Sequence, residues 1–243
     1  MSFLVLQARP ERAAADQEFA AILEKGGLAP EETRRLSLDD PACAELNPAE
    51  FDAVIVGGGP GCVSDENPDP VHAAMEKSLR CLLPQIVEED IPYLGCCYGH
   101  GVLASHLGAE VSKRRYGEEI GAVTLRKTGA DPLLVALPDQ FDAFVGHKEA
   151  VQEMPTGAIH LAASDTCPIQ MFRVGQNVYG TQFHPELDGP GLAARIEAYQ
   201  GYGYFPPEDA NRLIAQAHAA DVTGPAAILR AFVDRYRRAR LRT

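Results

Sequence analysis

Cys97 stands where a predicted buried strand turns directly into a predicted helix. Residues 94–100 read LGCCYGH, so that Gly95 and Gly99 flank the turn and allow the backbone to pack closely. A turn of this kind holds its central residue in a strained conformation at the carboxyl edge of a sheet, as in enzymes with a nucleophile elbow. We expect the amino terminus of the helix to stabilise a thiolate and to lower the pKa of Cys97. Cys96 continues the strand and is predicted to be buried, the usual environment of a free cysteine.

His184 and Glu186 lie in a second segment, residues 181–186 (TQFHPE), between a short predicted strand and a helix. A thiol nucleophile needs a base within hydrogen-bond reach, and that base needs a partner that fixes its tautomer. Residues two apart in an extended segment point to the same side, and Pro185 stiffens the backbone between them. A His-Pro-Glu triplet alone is more often a simple turn, so the prediction of a base and its partner depends on the pairing with Cys97.

A glycine-rich loop, residues 57–61 (GGGPG), ends the strand that precedes the one carrying Cys97. Attack on an amide carbonyl creates an oxyanion, and a glycine loop can turn backbone amides toward that charge. We expect the backbone amides of Gly59 and Tyr98 to be the oxyanion donors. A dinucleotide-binding loop is the rival interpretation, but the G-x-G-x-x-G pattern fails in both possible registers and the loop does not follow the first strand.

Composition excludes several other classes of protein. The chain has 243 residues, 46% apolar and 23% charged, which indicates a globular domain rather than a disordered chain. Its 22 Lys and Arg against 34 Asp and Glu give a net charge of −12, which argues against nucleic acid as a partner. One basic cluster closes the last predicted helix, where the helix dipole favours cations. It consists of Arg235, Arg237, Arg238, Arg240 and Arg242.

The sequence predicts a cytoplasmic protein without a membrane span. No run approaches the roughly 18 apolar residues that a span needs, and the first residues lack the features of a signal peptide. We therefore expect reduced thiols, with every cysteine except Cys97 an unpaired bystander. Those cysteines are Cys43, Cys62, Cys81, Cys96 and Cys167. Since adjacent cysteines rarely bind one metal and neither C-x-x-C nor H-x-x-x-H spacing occurs, we expect no metal and no cofactor.

Strand-like and helix-like segments alternate in the first half of the chain, which predicts an α/β fold. The predicted strands are 3–7, 51–56 and 91–96, and the predicted helices are 13–28, 70–88 (with Pro84 kinking or shortening it) and 102–108. This order favours an open, mostly parallel sheet with helices on both faces. Short runs between 109 and 180 predict additional antiparallel strands.

Helices are predicted for the remainder of the chain. They are 187–199 (delayed to about Leu192 by Gly189, Pro190 and Gly191), 207–219 and 225–240. We assign residues 1–200 to one domain and 201–243 to a C-terminal helical extension packed on it, because amphipathic helices usually face a core.

Together the motifs resemble those of the class I (triad) glutamine amidotransferase family, in particular stand-alone proteins similar to the amidotransferase domain of GMP synthase. The resemblance covers roughly positions 50 to 190 and includes 119–121 and 146–149. It implies that a cysteine attacks the side-chain amide of glutamine, that ammonia leaves, and that water hydrolyses the γ-glutamyl thioester. By matching position it implies that Cys97 is the nucleophile, His184 the base and Glu186 its orienting partner. It also implies that the Gly59 and Tyr98 amides are the oxyanion donors. Candidate substrate-binding residues are Gly58, His147 and Lys148.

Gly101 departs from the family pattern, which commonly has a glutamine there that helps to hold the substrate. Lys148 and Glu149 also differ from the small or acidic residues expected beside the bound amino acid. Two alternatives therefore stay open: a hydrolase of another γ-glutamyl amide or small amide with the same triad, and a non-catalytic regulatory binding protein on this scaffold. No synthetase domain follows the motifs, so the resemblance implies that the partner is a separate synthetase that accepts the ammonia.

Overall fold

The computed structural model describes residues 2–239. The predicted end of the last helix at Arg240, the end of the proposed extension, and Arg242 of the basic cluster lie outside the described residues.

The described chain contains eleven strands, and nine of them form a mixed sheet at its centre. In chain order the strands are β1 (Phe3–Gln7), β2 (Thr33–Ser37), β3 (Ala53–Val56), β4 (Tyr93–Cys96), β5 (Val111–Ser112), β6 (Gly121–Lys127), β7 (Gln140–Val145), β8 (Ala150–Val151), β9 (Ile159–Ala163), β10 (Met171–Val174) and β11 (Val178–Thr181). The sheet order is β2-β1-β3-β4-β11-β10-β9-β6-β7, and β5 pairs with β8 in a separate antiparallel ribbon.

One half of the sheet is parallel and the other half is antiparallel. Neighbours from β2 to β11 pair in parallel, whereas the pairs from β11 to β7 are antiparallel. The parallel strands β1, β3 and β4 are buried at every position, which is why they read as continuous apolar runs. The structure confirms the predicted α/β architecture with its added antiparallel strands.

Helices cover both faces of the sheet. They are α1 (Arg12–Gly26), α2 (Pro70–Glu88), α3 (Tyr98–His106), α4 (Gly189–Ala198), α5 (Ala210–Ala219) and α6 (Ala226–Ala239). Successive side chains of β1 point to opposite faces, so that Phe3 and Val5 join the core under α1 and α6. Leu4 and Leu6 join the core under α2 and α3. None of the helices within residues 2–239 combines the length and the apolar character that crossing a lipid bilayer requires.

The described structure differs from the predicted elements at several places, among them the short strands β5 and β8, which were not predicted. Strand β2 was not predicted, because this edge strand (TRRLS) is polar and only partly buried. Helix α2 keeps its full predicted length with Pro84 inside it, so the predicted shortening is wrong. Helix α3 begins at Tyr98 rather than at 102, since the turn at Cys97 leads into it without a loop.

Helix α4 also differs from the prediction, because it begins at Gly189 and not near Leu192. The Asp188 side chain accepts a hydrogen bond of 2.9 Å from the Gly191 backbone N–H, and Pro190 occupies the first turn. An aspartate cap and an early proline favour a helix start, and they outweigh the two glycines here.

The C-terminal helices share cores with the rest of the chain. Ile228 and Phe232 of α6 lie in the same apolar cluster as Ile22 of α1, and Leu213 of α5 packs in a cluster with Leu192 of α4. The boundary between residues 200 and 201 stays a prediction.

Candidate active site

Cys97 lies between β4 and α3 in a strained conformation. Its φ is 49° and its ψ is −93°, a region that residues with a Cβ rarely adopt. The turn is held by a 2.7 Å hydrogen bond from the Cys97 backbone N–H to the Thr181 carbonyl and by Tyr93 Oη, which donates to the Gly99 carbonyl at 3.0 Å. A Cβ on Gly95 would lie 2.6 Å from the Gly99 carbonyl carbon, so this crossing of backbones requires glycine.

The thiol of Cys97 is less acidic than an ordinary thiol, so the predicted lowering of its pKa is wrong. Burial raises the pKa of Cys97 to about 12, because the enclosed site solvates a thiolate poorly. The charge of Arg9 opposes this shift, whereas the charges of Glu186 and Glu149 add to it. Desolvation is the largest contribution to this shift, and the resting residue is a thiol.

His184 and Glu186 form a buried pair beside the sheet. His184 Nδ1 lies 2.9 Å from Glu186 Oε1, and the side chains are 6% and 2% exposed, so water does not compete for this contact. Burial lowers the pKa of His184, and the charges of Arg195 and Arg9 lower it further against the opposing effect of Glu186. Burial raises the pKa of Glu186, but the charge that His184 carries when protonated and the permanent charge of Arg195 outweigh it and hold that pKa well below its usual range. His184 is therefore a neutral imidazole facing a carboxylate.

Strand pairing brings this histidine to the cysteine. β11 pairs in parallel with β4, with Thr181 opposite Cys96, so the two chain segments leave the same edge of the sheet side by side. Cys97 and His184 consequently line one small cavity, together with Gly59 and Arg195.

The glycine loop reaches the same cavity from β3, on the other side of β4. A Cβ on Gly59 would lie 2.3 Å from the Ala8 carbonyl oxygen, and a Cβ on Gly58 would lie 2.6 Å from His184 Cε1. Gly58 therefore packs against the imidazole, where no side chain would fit. The amide of Tyr98, at the first helical position of α3, has no intrahelical partner by its position. The role of the Gly59 and Tyr98 amides as oxyanion donors stays a prediction.

A second cavity also borders Cys97, and Lys148 and Glu149 contribute charged side chains to its lining. Cys97, Gly59 and Tyr98 face it, and so do His147, Lys148, Glu149 and Gln182. Both His147 ring nitrogens have protein partners, with Nδ1 2.9 Å from the Glu149 carbonyl oxygen and Nε2 2.8 Å from Glu118 Oε2. His147 is thus already engaged by the protein, while Lys148 Nζ donates to the Pro60 carbonyl at 2.8 Å.

Glu149 is the buried carboxylate of this second cavity. Its two oxygens accept hydrogen bonds from the Val63 and Ser64 backbone N–H groups at 2.7 and 2.9 Å, and Ser64 Oγ donates at 2.7 Å. Gly101 lies beside it, since a Cβ there would be 3.8 Å from Glu149 Oε1 and 3.6 Å from Val63 Cγ2. A Cβ at 101 would therefore make ordinary van der Waals contact with Glu149 and Val63.

A buried network of charges that sequence reasoning missed supports the histidine. Arg195 Nη2 donates to Glu186 Oε1 at 3.0 Å and lies 3.6 Å from Glu18 Oε1. Arg9 Nε donates to Glu18 Oε1 at 2.8 Å, and the Gly58 backbone N–H donates to the same oxygen at 3.1 Å. Glu18 thereby connects the glycine loop, through Arg195, to Glu186. One sequence signal existed, because Glu18 lies four residues before buried Ile22, on the apolar side of α1.

A group of metal-ligand types also occurs near the second cavity. Ligand atoms of Glu118, His147 and Cys167 lie within 4.8 Å of one another. The Glu118 carboxylate, however, already accepts hydrogen bonds from Gln170 Nε2 at 2.6 Å and from Ser164 Oγ at 2.5 Å, besides its contact with His147. The Glu118 carboxylate therefore already has hydrogen-bond partners in the protein. All six cysteines lie within the described residues and are free, as expected.

Comparisons with known proteins agree with the fold and the motifs. The family model for glutamine amidotransferase class-I matches residues 22–191, which is more than half of the chain. A GMP synthase (glutamine-hydrolyzing) of Thermosipho africanus is 35% identical over 152 residues, 62% of this chain and 26% of the relative. One subunit of the GMP synthase (glutamine-hydrolyzing) of Archaeoglobus fulgidus is 30% identical over 139 residues, 57% of this chain and 68% of the relative.

A solved structure extends the likeness to nearly the whole chain. The crystal structure of a glutamine amidotransferase from Thermotoga maritima superimposes with a TM-score of 0.76 at 23% identity, covering 97% of both chains. This likeness shows the fold. The chain spans about a quarter of the length of GMP synthases such as that of Thermosipho africanus, so their full activity does not transfer with the match. Since the match of the family model includes the glycine loop, the cysteine turn and the His-Pro-Glu segment, the chain belongs to the class I glutamine amidotransferase family.

Proposed function

We propose that the protein hydrolyses glutamine to glutamate and ammonia through a γ-glutamyl thioester on Cys97, and that it serves as an amidotransferase component. The observation that carries the proposal is that His184, which lies 2.9 Å from Glu186, lines the same cavity as Cys97, whose backbone is strained. A histidine whose Nδ1 faces a carboxylate leaves Nε2 free to take a proton, which is the arrangement that activates a thiol nucleophile.

The roles follow from the neutral resting state. His184 accepts the Cys97 proton as the sulfur attacks the amide carbon, so that the raised pKa of the thiol is overcome only when substrate is present. The Gly59 and Tyr98 amides stabilise the resulting oxyanion. His184 then returns the proton to the amide nitrogen, the C–N bond breaks, and ammonia leaves. Water, deprotonated by His184, hydrolyses the thioester, and the thiol is restored as glutamate departs.

The second cavity is the proposed site for the amino-acid end of the substrate. The Glu149 carboxylate carries the charge that pairs with an α-ammonium group, and Lys148 Nζ carries the charge that pairs with an α-carboxylate. His147 acts there by positioning, since it is held by Glu118, whereas Gly58 is in the lining of neither cavity and acts by packing on His184.

An ammonia-release assay with neighbouring cysteine variants tests the proposal. The wild-type protein should release ammonia from glutamine, and Cys97→Ala should lower that rate by at least about a thousandfold, because the thioester can no longer form. Cys96→Ala is the matched control, since Cys96 is buried in β4, and it should keep the rate within a few-fold. Equal rates in Cys97→Ala and wild type would refute the mechanism.

The same assay separates the alternatives. A preference for γ-glutamyl alkylamides over glutamine would reassign the substrate, and no turnover together with no selective labelling of Cys97 by a glutamine-like electrophile would indicate a binding protein. One relative is named as a single subunit of a GMP synthase, which supports a separate ammonia-accepting synthetase as partner of this chain. Stimulation of ammonia release by such a synthetase is the measurement for that part of the proposal.

A further inference from the structure

Residues 200–205, which we term the cover segment, lie between α4 and α5. They lie outside the residues matched by the family model, 22–191. Tyr204 of this segment lines both cavities, as do Cys97 and Gly59, and so stands at the wall between them. The chain itself therefore supplies an aromatic ring over its nucleophile from a region beyond the family's common motifs.

The Tyr204 ring narrows the space beside the sulfur. In each of the two cavities the centre of a water-sized sphere can move only within about 20 Å³. A bulky group therefore reaches the sulfur only if part of the wall moves. Most of the wall is formed by strand ends, the start of α3 and the buried charge network, all of which are packed in the core.

Most of the cover segment is exposed to solvent. Gln200, Gly201, Tyr202 and Gly203 are exposed, whereas Tyr199 and Phe205 at its two ends are buried and act as anchors. Gly201 and Gly203 have φ values of 88° and 80°, and a Cβ at either would meet no atom within 4 Å. Two left-handed glycines in open space allow the backbone between the anchors to change direction at little steric cost.

A small set of polar contacts holds the segment closed. Tyr204 Oη donates to the Gly59 carbonyl at 3.3 Å, and Lys148 Nζ lies 4.8 Å from the centre of the Tyr204 ring. Lys148 Nζ also donates to the Tyr202 carbonyl at 3.2 Å, and Tyr202 Oη donates to Glu11. These bonds attach the segment to the glycine loop and to the second cavity, the two places that the substrate would occupy.

We propose that Tyr204 is a specificity-determining gate: the cover segment moves away to admit an amide to Cys97, and the Tyr204 ring sets the size of the group that can lie beside the sulfur. Arrival of a substrate carboxylate at Lys148 would compete with its bonds to the segment, which couples opening to binding. The inference rests on the proposed function only in taking Cys97 as the reacting atom.

Alkylation of Cys97 by two reagents of one chemistry tests the gate. Iodoacetamide and its N-phenyl derivative react with thiolate through the same carbon and differ in size. The rate ratio for Cys97, followed by peptide mass spectrometry and normalised to free cysteine, reports access, because any change in thiolate fraction cancels in the ratio. A Cys81→Ser background removes the exposed cysteine.

We expect the wild-type ratio to favour the small reagent by at least about tenfold, and Tyr204→Ala to reduce this preference to about threefold or less. Tyr204→Phe is the matched control, since it keeps the ring, and it should retain the wild-type preference. Tyr204→Leu replaces Tyr204→Ala if the latter fails to fold, as judged by circular dichroism. An unchanged ratio in the folded Ala or Leu variant overturns the proposal.

The outcome is independent of which amide the protein hydrolyses. Size-selective alkylation that depends on Tyr204, without glutamine turnover, would keep the gate and reject glutamine as substrate. Glutamine turnover with a ratio insensitive to Tyr204 would keep the proposed function and reject the gate.

Discussion

Replacing Cys97 by alanine and by glycine would measure the strain at the nucleophile. A residue with a Cβ at φ 49° and ψ −93° stores about 1–3 kcal/mol that glycine does not. Glycine also costs about 0.5–1 kcal/mol relative to alanine, since it loses more backbone freedom on folding. The difference predicts that Cys97→Gly is more stable than Cys97→Ala, or equal to it, by about 0–2.5 kcal/mol.

Cys96 provides the reference in a regular strand. It precedes Cys97 in β4, is equally buried, and should show the ordinary order, with Cys96→Gly less stable than Cys96→Ala by about 0.5–1 kcal/mol. Alanine and glycine both lack the thiol, and glycine lacks the buried methyl group of alanine at both positions. These contributions therefore largely cancel when positions 96 and 97 are compared. The two alanine-to-glycine changes should therefore differ by about 1–3 kcal/mol.

Urea unfolding of the four variants, with the free energy of unfolding extrapolated to water, measures this difference. Cys97→Ala and Cys97→Gly should both lack ammonia release, so that a stability gained by relaxing the turn is not confused with a functional protein. If glycine is as unfavourable at 97 as it is at 96, the turn is not strained and the elbow argument fails.

Two further changes follow from the buried charges. Arg195→Leu should lower the free energy of unfolding by about 3–5 kcal/mol, because it leaves Glu186 with an uncompensated charge. Besides burial, the Arg195 charge lowers the pKa of His184, so removing that charge should raise this pKa and move the acid limb of the pH profile of ammonia release to higher pH. Arg195→Lys keeps the charge and should leave the acid limb in place. Burial lowers the pKa of His100 from 6.5 to about 3, so the unfolded chain binds an extra proton between these values and stability is lost as pH falls through them. The difference between these two pKa values corresponds to up to about 5 kcal/mol in the free energy of unfolding. His100→Leu should therefore lose less stability than the wild type between about pH 7 and pH 4, and equal losses on urea unfolding would contradict this.

The motifs were predictable because each is a local signal. Glycines on both sides of Cys97 mark a tight turn wherever they occur between a buried strand and a helix, and the structure places that turn at the end of β4. Likewise, the segment with His184 and Glu186 follows a short strand, and the two side chains meet at 2.9 Å across one residue. Their meeting with the cysteine, however, depends on β11 joining β4, a pairing between residues more than eighty positions apart.

The environment of the site was not predictable in the same way. Glu18, Arg9 and Arg195 come from opposite ends of the chain, and each looks like an ordinary surface charge until the helices pack. Strand β2 was missed for a related reason, since an edge strand need not be apolar and carries little local pattern.

The candidate catalytic residues, the positions of the turns and the α/β sheet could all be predicted from local sequence patterns, because these depend on neighbours a few positions apart. The protonation state of Cys97 could not be predicted in this way, because it depends on the packed fold. The predicted thiolate is a thiol with a pKa of about 12, since distant strands, a charge network and Tyr204 enclose it. Burial is a sum over contacts that long-range packing creates, so no local motif can report it.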